Sequence, residues 1–367
     1  MTSQARSGPL AGLRVVEMAA IGPVPFAGTM LASMGAEIVR VERPGKTFAE
    51  TDVTAQGRAF VTLDLKDPAD QARALDLIAA ADLLLEGFRP GVMERLGLGP
   101  DKAFARNPAL VYGRMTGWGQ EGPLASAPGH DINYIAITGA LHAIGTAERP
   151  TQPLNLVGDY GGGALYLVVG VLAALREAAA TGRGQVVDAA MCDGALNLLL
   201  PYSMGRNTGG WVGEREQNLL DGGAHFYGSF ECKDGKFFSL GAIEPQFYAE
   251  FRRLCGLEGP EWDAQMDKTA WPALREKVRA VMKTKTRDEW TAILEGSDVC
   301  AAPILDYEEA QSHPHLKARG AFVDGPAGPQ PAAAPRFSGH PRPSPARPPA
   351  APIAVDEAVA RWRDAAK

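Results

Sequence analysis

Cysteine is scarce in this chain. Cys192, Cys232, Cys255 and Cys300 lie far apart among 367 residues and form no Cys-x-x-Cys pair. That excludes a disulfide framework and a cysteine-built zinc site as organising principles, and a reducing cytoplasm is the expected location. Charge of neither sign is in large excess. The formal net charge of −6 argues against non-specific binding to nucleic acid and leaves local basic clusters to grip a phosphorylated small molecule. Long hydrophobic runs are missing as well. The longest, residues 164–175, is about half the length of a membrane-spanning helix and reads as a buried one. The first residues carry no apolar segment of the signal-peptide kind. The expectation is a soluble cytoplasmic protein with no membrane partner.

Familiar ligand signatures are also absent. The turn after the first strand reads Ala19-Ala20-Ile21-Gly22-Pro23, not Gly-x-Gly-x-x-Gly, which argues against a nicotinamide or flavin site. There is no P-loop and no His-Glu-x-x-His. His313 and His315, two apart in a polar loop, read as surface residues, so no metal is expected.

What is present alternates between strand and helix. Residues 13–18, 37–42, 60–65, 83–88 and 109–114 read as strands. Helices are expected at about 26–34 and at 68–81, where Pro68 sits in a first turn that does not need its N–H. A long apolar helix at 165–179 ends before Gly182, and a strand returns at 185–189. Strands separated by helices imply right-handed βαβ units. The expected class is α/β, a large doubly wound, Rossmann-like domain with a parallel sheet.

After about residue 197 the character changes. Strands 226–232 and 237–240 flank Asp234-Gly235, a hairpin signal. Helices at 244–254, 273–282 and 287–294 follow, the last with Thr286 and Glu289 spaced as a capping box. The expected division is 1–200 for the large domain, joined by a C-terminal return over 326–367, and 220–325 for a smaller α+β domain. Ten prolines in 326–352 predict extended surface chain, and 353–366 a terminal helix.

Three groups could move protons. His130 and Asp131 stand together in Gly129-His-Asp-Ile-Asn-Tyr134, ahead of an amphipathic run at 132–144. Asp159 follows in Asn155-Leu-Val-Gly-Asp-Tyr-Gly-Gly-Gly163, too glycine-rich for ordinary core. Each also has a bland reading: His130 as a structural histidine, Asp131 as the N-cap of the following helix with a free N–H, and Asp159 as the cap of another. Glu244 opens a helix after the strand at 237–242, which is unremarkable alone. Basic residues gather at strand ends: Arg40 and Arg43, Lys66, Arg89 and Arg95. Several cations beyond the carboxyl ends of such strands suit a phosphate-bearing ligand, and solvated loop charge is the alternative.

Taken in order, the blocks resemble the family III CoA-transferase superfamily. They begin with Gly8-Pro-Leu-Ala-Gly-Leu-Arg-Val-Val-Glu-Met18 and Gly35-Ala-Glu-Ile-Val-Arg-Val-Glu-Arg-Pro44, then Leu63-Asp-Leu-Lys66 and the stretch Glu86-Gly-Phe-Arg-Pro-Gly91. They continue through Arg114-Met-Thr-Gly-Trp-Gly-Gln120, Gly129–Tyr134, Gly158-Asp-Tyr-Gly-Gly-Gly163 and Gly184-Gln-Val-Val-Asp188, as far as Gly241-Ala-Ile-Glu-Pro-Gln-Phe247. Transferases of this family use the aspartate matched by Asp159 as a nucleophile. The racemase branch pairs it with a histidine and a glutamate, matched here by His130 and Glu244, and this chain has both.

The resemblance implies epimerisation of 2-methylacyl-CoA thioesters at C2 by a 1,1-proton transfer through an enolate. His130 and Asp159 would stand on opposite faces of C2, the Asp131 backbone N–H would hold the thioester oxygen, and Glu244 would orient the imidazole. CoA would be held by Arg43, Asp64, Leu65, Lys66, Gly87, Phe88, Arg89 and Arg95, with Gly129 and Tyr134. Met115, Met191 and Met204 are possible walls for the acyl chain, and core packing is the commoner fate of a methionine. An interlocked homodimer, with Glu244 reaching His130 across the subunit boundary, is also implied. No cofactor is called for, since CoA is part of the substrate. The alternatives are a CoA-transferase with Asp159 as covalent nucleophile and a non-catalytic acyl-CoA-binding protein.

Overall fold

Six parallel strands form the main sheet: β1 (Arg14–Met18), β2 (Glu37–Glu42), β3 (Arg58–Thr62), β4 (Leu83–Glu86), β5 (Val111–Thr116) and β6 (Val186–Ala190). Their spatial order is β3-β2-β1-β4-β5-β6, the doubly wound arrangement expected of this pattern. The protein is described here by a computed structural model, which covers residues 7–364. The chain divides into two compact units. One holds residues up to Thr138, Pro153–Leu198 and the chain from Ala318 onward, and the other holds Gly139–Gln152 and Leu199–Lys317.

Alternation along the strands builds the two cores of the first unit. Val15, Ile38, Leu83, Leu85, Val111 and Met115 face one side, where helix α1 (Pro23–Ser33) supplies Val24, Ala27 and Leu31. Val16, Val39, Val41, Leu84 and Tyr112 face the other, against α2 (Pro68–Ala79), with α3 (Val92–Arg95) and α4 (Pro100–Arg106) in the connections after β4. Both faces are covered, which is why these strands read as continuous apolar runs. The final helix, Val355–Asp364, packs Val355, Val359 and Trp362 into the second core. The expected end of that helix, at residue 366, lies outside the described residues.

Several boundaries move for identifiable reasons. Helix α1 begins three residues before its expected start because Pro23 and Pro25 occupy a first turn that tolerates them. Strand β3 begins at Arg58, whose guanidinium is buried and donates from Nε to Glu17 Oε2 at 2.9 Å. The run at 132–144 is two short helices, α5 (Asp131–Ala136) and α6 (Ala140–Ala143), interrupted at Gly139 with φ 88°. Gly139–Gln152 therefore leaves the first unit, and the chain rejoins that unit at Ala318 instead of 326. The proline-rich stretch is not wholly bare surface chain either. It contains the strand Gly328–Pro331, paired antiparallel with Phe322–Gly325, and Phe337 packs on the first core.

The helix after Asn155 is longer than expected. A nine-residue π-helix, Leu156–Ala164, runs directly into α7 (Leu165–Thr181). Together they span 26 residues, and by length and composition alone they could cross a membrane. The run at 164–175 is therefore not too short on that ground. Leu167, Val168, Val171, Ala174 and Ala178 are nevertheless buried, on the face packed against β5 and β6. Helix α8 (Met191–Leu198) crosses the π-helix so closely that Gly162 and Gly194 meet backbone to backbone. A Cβ on Gly194 would come within 1.8 Å of the Gly162 carbonyl oxygen.

The second unit is a three-stranded antiparallel sheet with helices. Strands β7 (Tyr227–Glu231) and β8 (Phe237–Gly241) form the hairpin expected around Asp234-Gly235, and β9 (Ala301–Ile304) pairs with β8. Helices Pro245–Cys255, Trp271–Met282 and Arg287–Leu294 enclose a core of Phe226, Phe238, Phe251, Trp262, Trp271 and Trp290. The capping box of Thr286 and Glu289 is formed.

Candidate active site

Strand order reverses between β1 and β4, and open sheets of this type bind ligands beyond the strand ends at that switch point. The loop after β1, with Ile21 and Gly22, and the loop after β4, with Gly87, Phe88 and Arg89, diverge there. They border a cavity of about 600 Å³, closed by Met115 to Trp118 at the end of β5, by Gly129, His130, Asn133 and Tyr134, and by Asp159 and Met191. His130 and Asp159, 29 positions apart in the sequence, thus line one cavity.

Local chemistry sets the histidine. His130 is the N-cap of α5, with φ −132° and ψ 172°, and its backbone N–H donates to Asn133 Oδ1 at 3.0 Å. The expected cap, Asp131, is instead the first helical residue. Its N–H, in the first turn, needs no carbonyl four residues back. Helix α5 ends at Ala136 after only six residues, and its dipole contributes less than a long helix would. Tyr134 closes the turn by donating its hydroxyl to the Gly129 carbonyl, and its ring meets Trp118 edge-on at 4.8 Å.

The aspartate rides on the π-helix, whose wider i to i+5 spacing is common at functional sites. Asn155 Nδ2 donates to Asp159 Oδ2 at 3.2 Å, and the Asp159 backbone N–H donates to Asp131 Oδ2 at 2.7 Å. Burial pushes the Asp159 carboxyl above the usual carboxylate range. The Asn155 bond opposes this, the Asp131 charge adds to it, and His130 pulls it back. His130 and Asp159 are therefore within electrostatic reach of each other.

A second cavity, about 560 Å³, lies over the ends of β1, β2 and β3. Arg43, Asp64, Leu65, Lys66 and Phe88 of the expected CoA set line it. Ile21 and Phe88 line both cavities, which therefore adjoin. Gly87, Arg89, Gly129 and Tyr134 line the first cavity, and Arg95, exposed in α3, borders neither. The loop after β4 is fixed from beneath, where the buried Glu86 accepts the Phe88 N–H at 2.7 Å and Arg114 Nε at 2.8 Å. Of the methionines, Met115 and Met191 line the first cavity, while Met204 belongs to the second unit. Glu244 is also in the second unit, exposed at the head of helix Pro245–Cys255, where its side chain makes no capping bond.

Sequence reading passed over several lining residues. Lys46 stands in the second cavity beside Arg43, and its ammonium lies 4.9 Å from the Phe48 ring centroid. The run Arg43-Pro-Gly-Lys46 carried that signal. Arg40, one of the basic residues expected at the strand ends, also lines this cavity but is buried and paired with Glu42 at 2.8 Å. Ile21, 83% exposed at the switch point, was hidden in a turn read only for the dinucleotide motif it lacks.

Comparison with known proteins shows the family. The model of CoA-transferase family III matches residues 10–352. The chain is 44% identical to α-methylacyl-CoA racemase of Mus musculus over 331 residues, 90% of this chain and 86% of the relative. It is 42% identical to α-methylacyl-CoA racemase of Homo sapiens, over 86% of this chain and 82% of the relative. A crystal structure of a CAIB/BAIF family protein from Brucella suis superposes with a TM-score of 0.79 at 25% identity, covering 98% and 99% of the two chains. This chain belongs to CoA-transferase family III.

Proposed function

We propose that the protein is an α-methylacyl-CoA racemase, interconverting R and S 2-methylacyl-CoA thioesters at C2. One observation carries the reading: an imidazole and a raised carboxyl, His130 and Asp159, line a single cavity that shares Ile21 and Phe88 with a neighbouring groove bordered by Arg43, Lys46 and Lys66. The cavity of about 600 Å³ is of the size that holds a small ligand body. In the proposed reaction one of the two groups removes the C2 hydrogen and the other returns a proton to the opposite face. The enolate oxygen is held by the Asp131 N–H. A raised Asp159 suits this chemistry, because in one direction it has to act as an acid. No net electron transfer occurs, so the proposal needs no cofactor.

We assign Glu244 to orienting the imidazole and the working form to a homodimer. Leu156, Leu165, Val169, Leu196 and Leu198 of the π-helix, α7 and α8 are exposed, and an apolar surface of this kind supports self-association. A cytoplasmic location, without nucleic-acid or membrane partners, completes the proposal.

Incubation of a single 2-methylacyl-CoA enantiomer in deuterated water tests the reaction. Deuterium entering C2 with loss of optical purity is the expected result. Thioester exchange to an acceptor acid without deuterium uptake would replace the proposal with acyl transfer through Asp159, and binding without either would leave an acyl-CoA carrier. Arg43→Ala and Lys66→Ala are expected to raise KM on the order of tenfold each with kcat little changed, because their phosphate contacts are the same in ground and transition states. A fall in kcat at constant KM would place these cations in the chemical step instead.

A further inference from the structure

Asp131 carries more in its side chain than a backbone role requires. Asp131 is buried, with 8% of the residue exposed, and its Oδ2 accepts the Asp159 N–H at 2.7 Å. Oδ1 is buried with no hydrogen-bond partner. A Cβ on Gly158 would lie 2.4 Å from Asp131 Oδ2, so glycine at 158 is what lets the π-helix close on this carboxylate. An asparagine could accept the same N–H through its oxygen. Retaining an uncompensated anionic oxygen costs stability, which points to a use for the charge.

We propose that the Asp131 carboxylate is a positioning residue for Asp159, fixing the turn that carries it and supplying the negative charge against which it works. The inference rests on the racemase reading for its consequence in catalysis, whereas the coupling of the two residues rests on the hydrogen bond and burial of Asp131 and does not depend on that reading.

The other ionisable groups near Asp159 do not supply that charge. Helix α5 brings His130 and Tyr134 as well as Asp131, and Arg89 enters the same cavity from the loop after β4. Among the other elements packed on the π-helix, α8 carries Cys192 and Asp193, β5 Tyr112 and Arg114, β6 Asp188, and α7 Tyr166 with Arg176 and Glu177 toward its far end, while α1 carries none. Asp131 and His130 are the two charges that act on Asp159, and they act in opposite senses. Asp131 favours the neutral acid, as like charges sharing a site do. The hydrogen bond and the charge are thus separable functions of one side chain.

Asp131→Asn separates them, because it keeps an acceptor for the Asp159 N–H and removes the charge. The Asp159 carboxyl is followed by 13C NMR titration in the full-length protein, identified by its loss in Asp159→Asn, alongside the pH profile of C2 deuterium exchange and Tm. The expected result is a Tm no lower than wild type and an Asp159 midpoint at lower pH. The matching limb of the exchange profile should move with it. The rate in the direction where Asp159 gives the proton should fall on the order of tenfold for each unit the limb moves. An unchanged midpoint in a folded variant overturns the proposal. If Asp131→Asn does not fold, Asp131→Ser, which keeps a smaller uncharged acceptor, is read in the same way. Absence of deuterium exchange in the wild-type protein would defeat the racemase reading, while the carboxyl titration would still decide this one.

Discussion

Asp159→Asn is expected to cut racemisation of a 2-methylacyl-CoA by a factor on the order of 10²–10⁴, the usual worth of a positioned acid or base. It should leave deuterium exchange running in one enantiomer. The asymmetry follows from the two-sided arrangement. An amide cannot take or give the proton on the face that Asp159 serves, but His130 on the other face keeps its imidazole and the cavity keeps its shape. The enantiomer whose C2 hydrogen points at His130 can still be deprotonated and reprotonated from that side, with retention. Its mirror image has no base. The amide still offers an oxygen to Asn155, which donates to Asp159 Oδ2 at 3.2 Å, so gross collapse of the site is not the expected cause of the loss. His130→Asn should show the opposite preference. Chiral separation of the thioesters combined with NMR of the C2 position measures both rates in one sample. Equal loss of exchange from both enantiomers in either variant would mean that the two groups do not divide the faces. Retention of full racemisation would remove Asp159 from the chemistry altogether.

The sheet was legible because its strands are buried on both sides. Leu83, Leu84 and Leu85 are all fully buried although they point alternately to opposite faces, so the run is continuous and stands out in the sequence. The start of β3 was not legible. Arg58 is buried because Glu17 and the Pro25 carbonyl accept its guanidinium, a pairing across 41 and 33 residues that no local pattern announces. The break before α6 also defeated periodicity: apolar spacing continues through 132–144, yet α5 ends at Ala136 and a glycine at φ 88° starts a second helix.

The site itself was partly legible. The pair His130 and Asp159 drew attention because of the glycines around them, and the close approaches of Gly158 to Asp131 and of Gly162 to Gly194 explain those glycines. The π-helix was not legible, since an apolar pattern read at 3.6 residues per turn cannot distinguish one widened stretch from an ordinary first turn. Nor was the Asp131 carboxylate, whose partner lies 28 residues on and is a backbone N–H. The expected CoA cations divided by position: Arg43, Lys66 and Arg89 border the groove, and Arg95 turns aside in a four-residue helix.

Acid is expected to weaken the second unit before it weakens the first, and the cause is His225. Its ring is fully buried among Phe226, Tyr248 and Trp262, with Nε2 sharing a 2.7 Å hydrogen bond with the Tyr248 hydroxyl and Nδ1 buried without a partner. A charged imidazole there would have to leave water with one N–H unmatched, and burial lowers its pKa from 6.5 to about 4. The sign follows from proton counting. Between pH 6.5 and 4 the unfolded chain takes up a proton at this residue and the folded chain does not, so stability is intact above 6.5 and drains away as pH falls toward 4. A difference of that size corresponds to about 3 kcal/mol. Hydrogen exchange of the β7 and β8 amides, followed from pH 7.5 to 4.5 and corrected for intrinsic rates, reads the effect in the unit concerned. His225→Phe should flatten the pH dependence while lowering stability at neutral pH by about 1–3 kcal/mol, the cost of leaving the Tyr248 hydroxyl buried and unpaired. A pH slope that survives the substitution would assign the acid sensitivity to other groups.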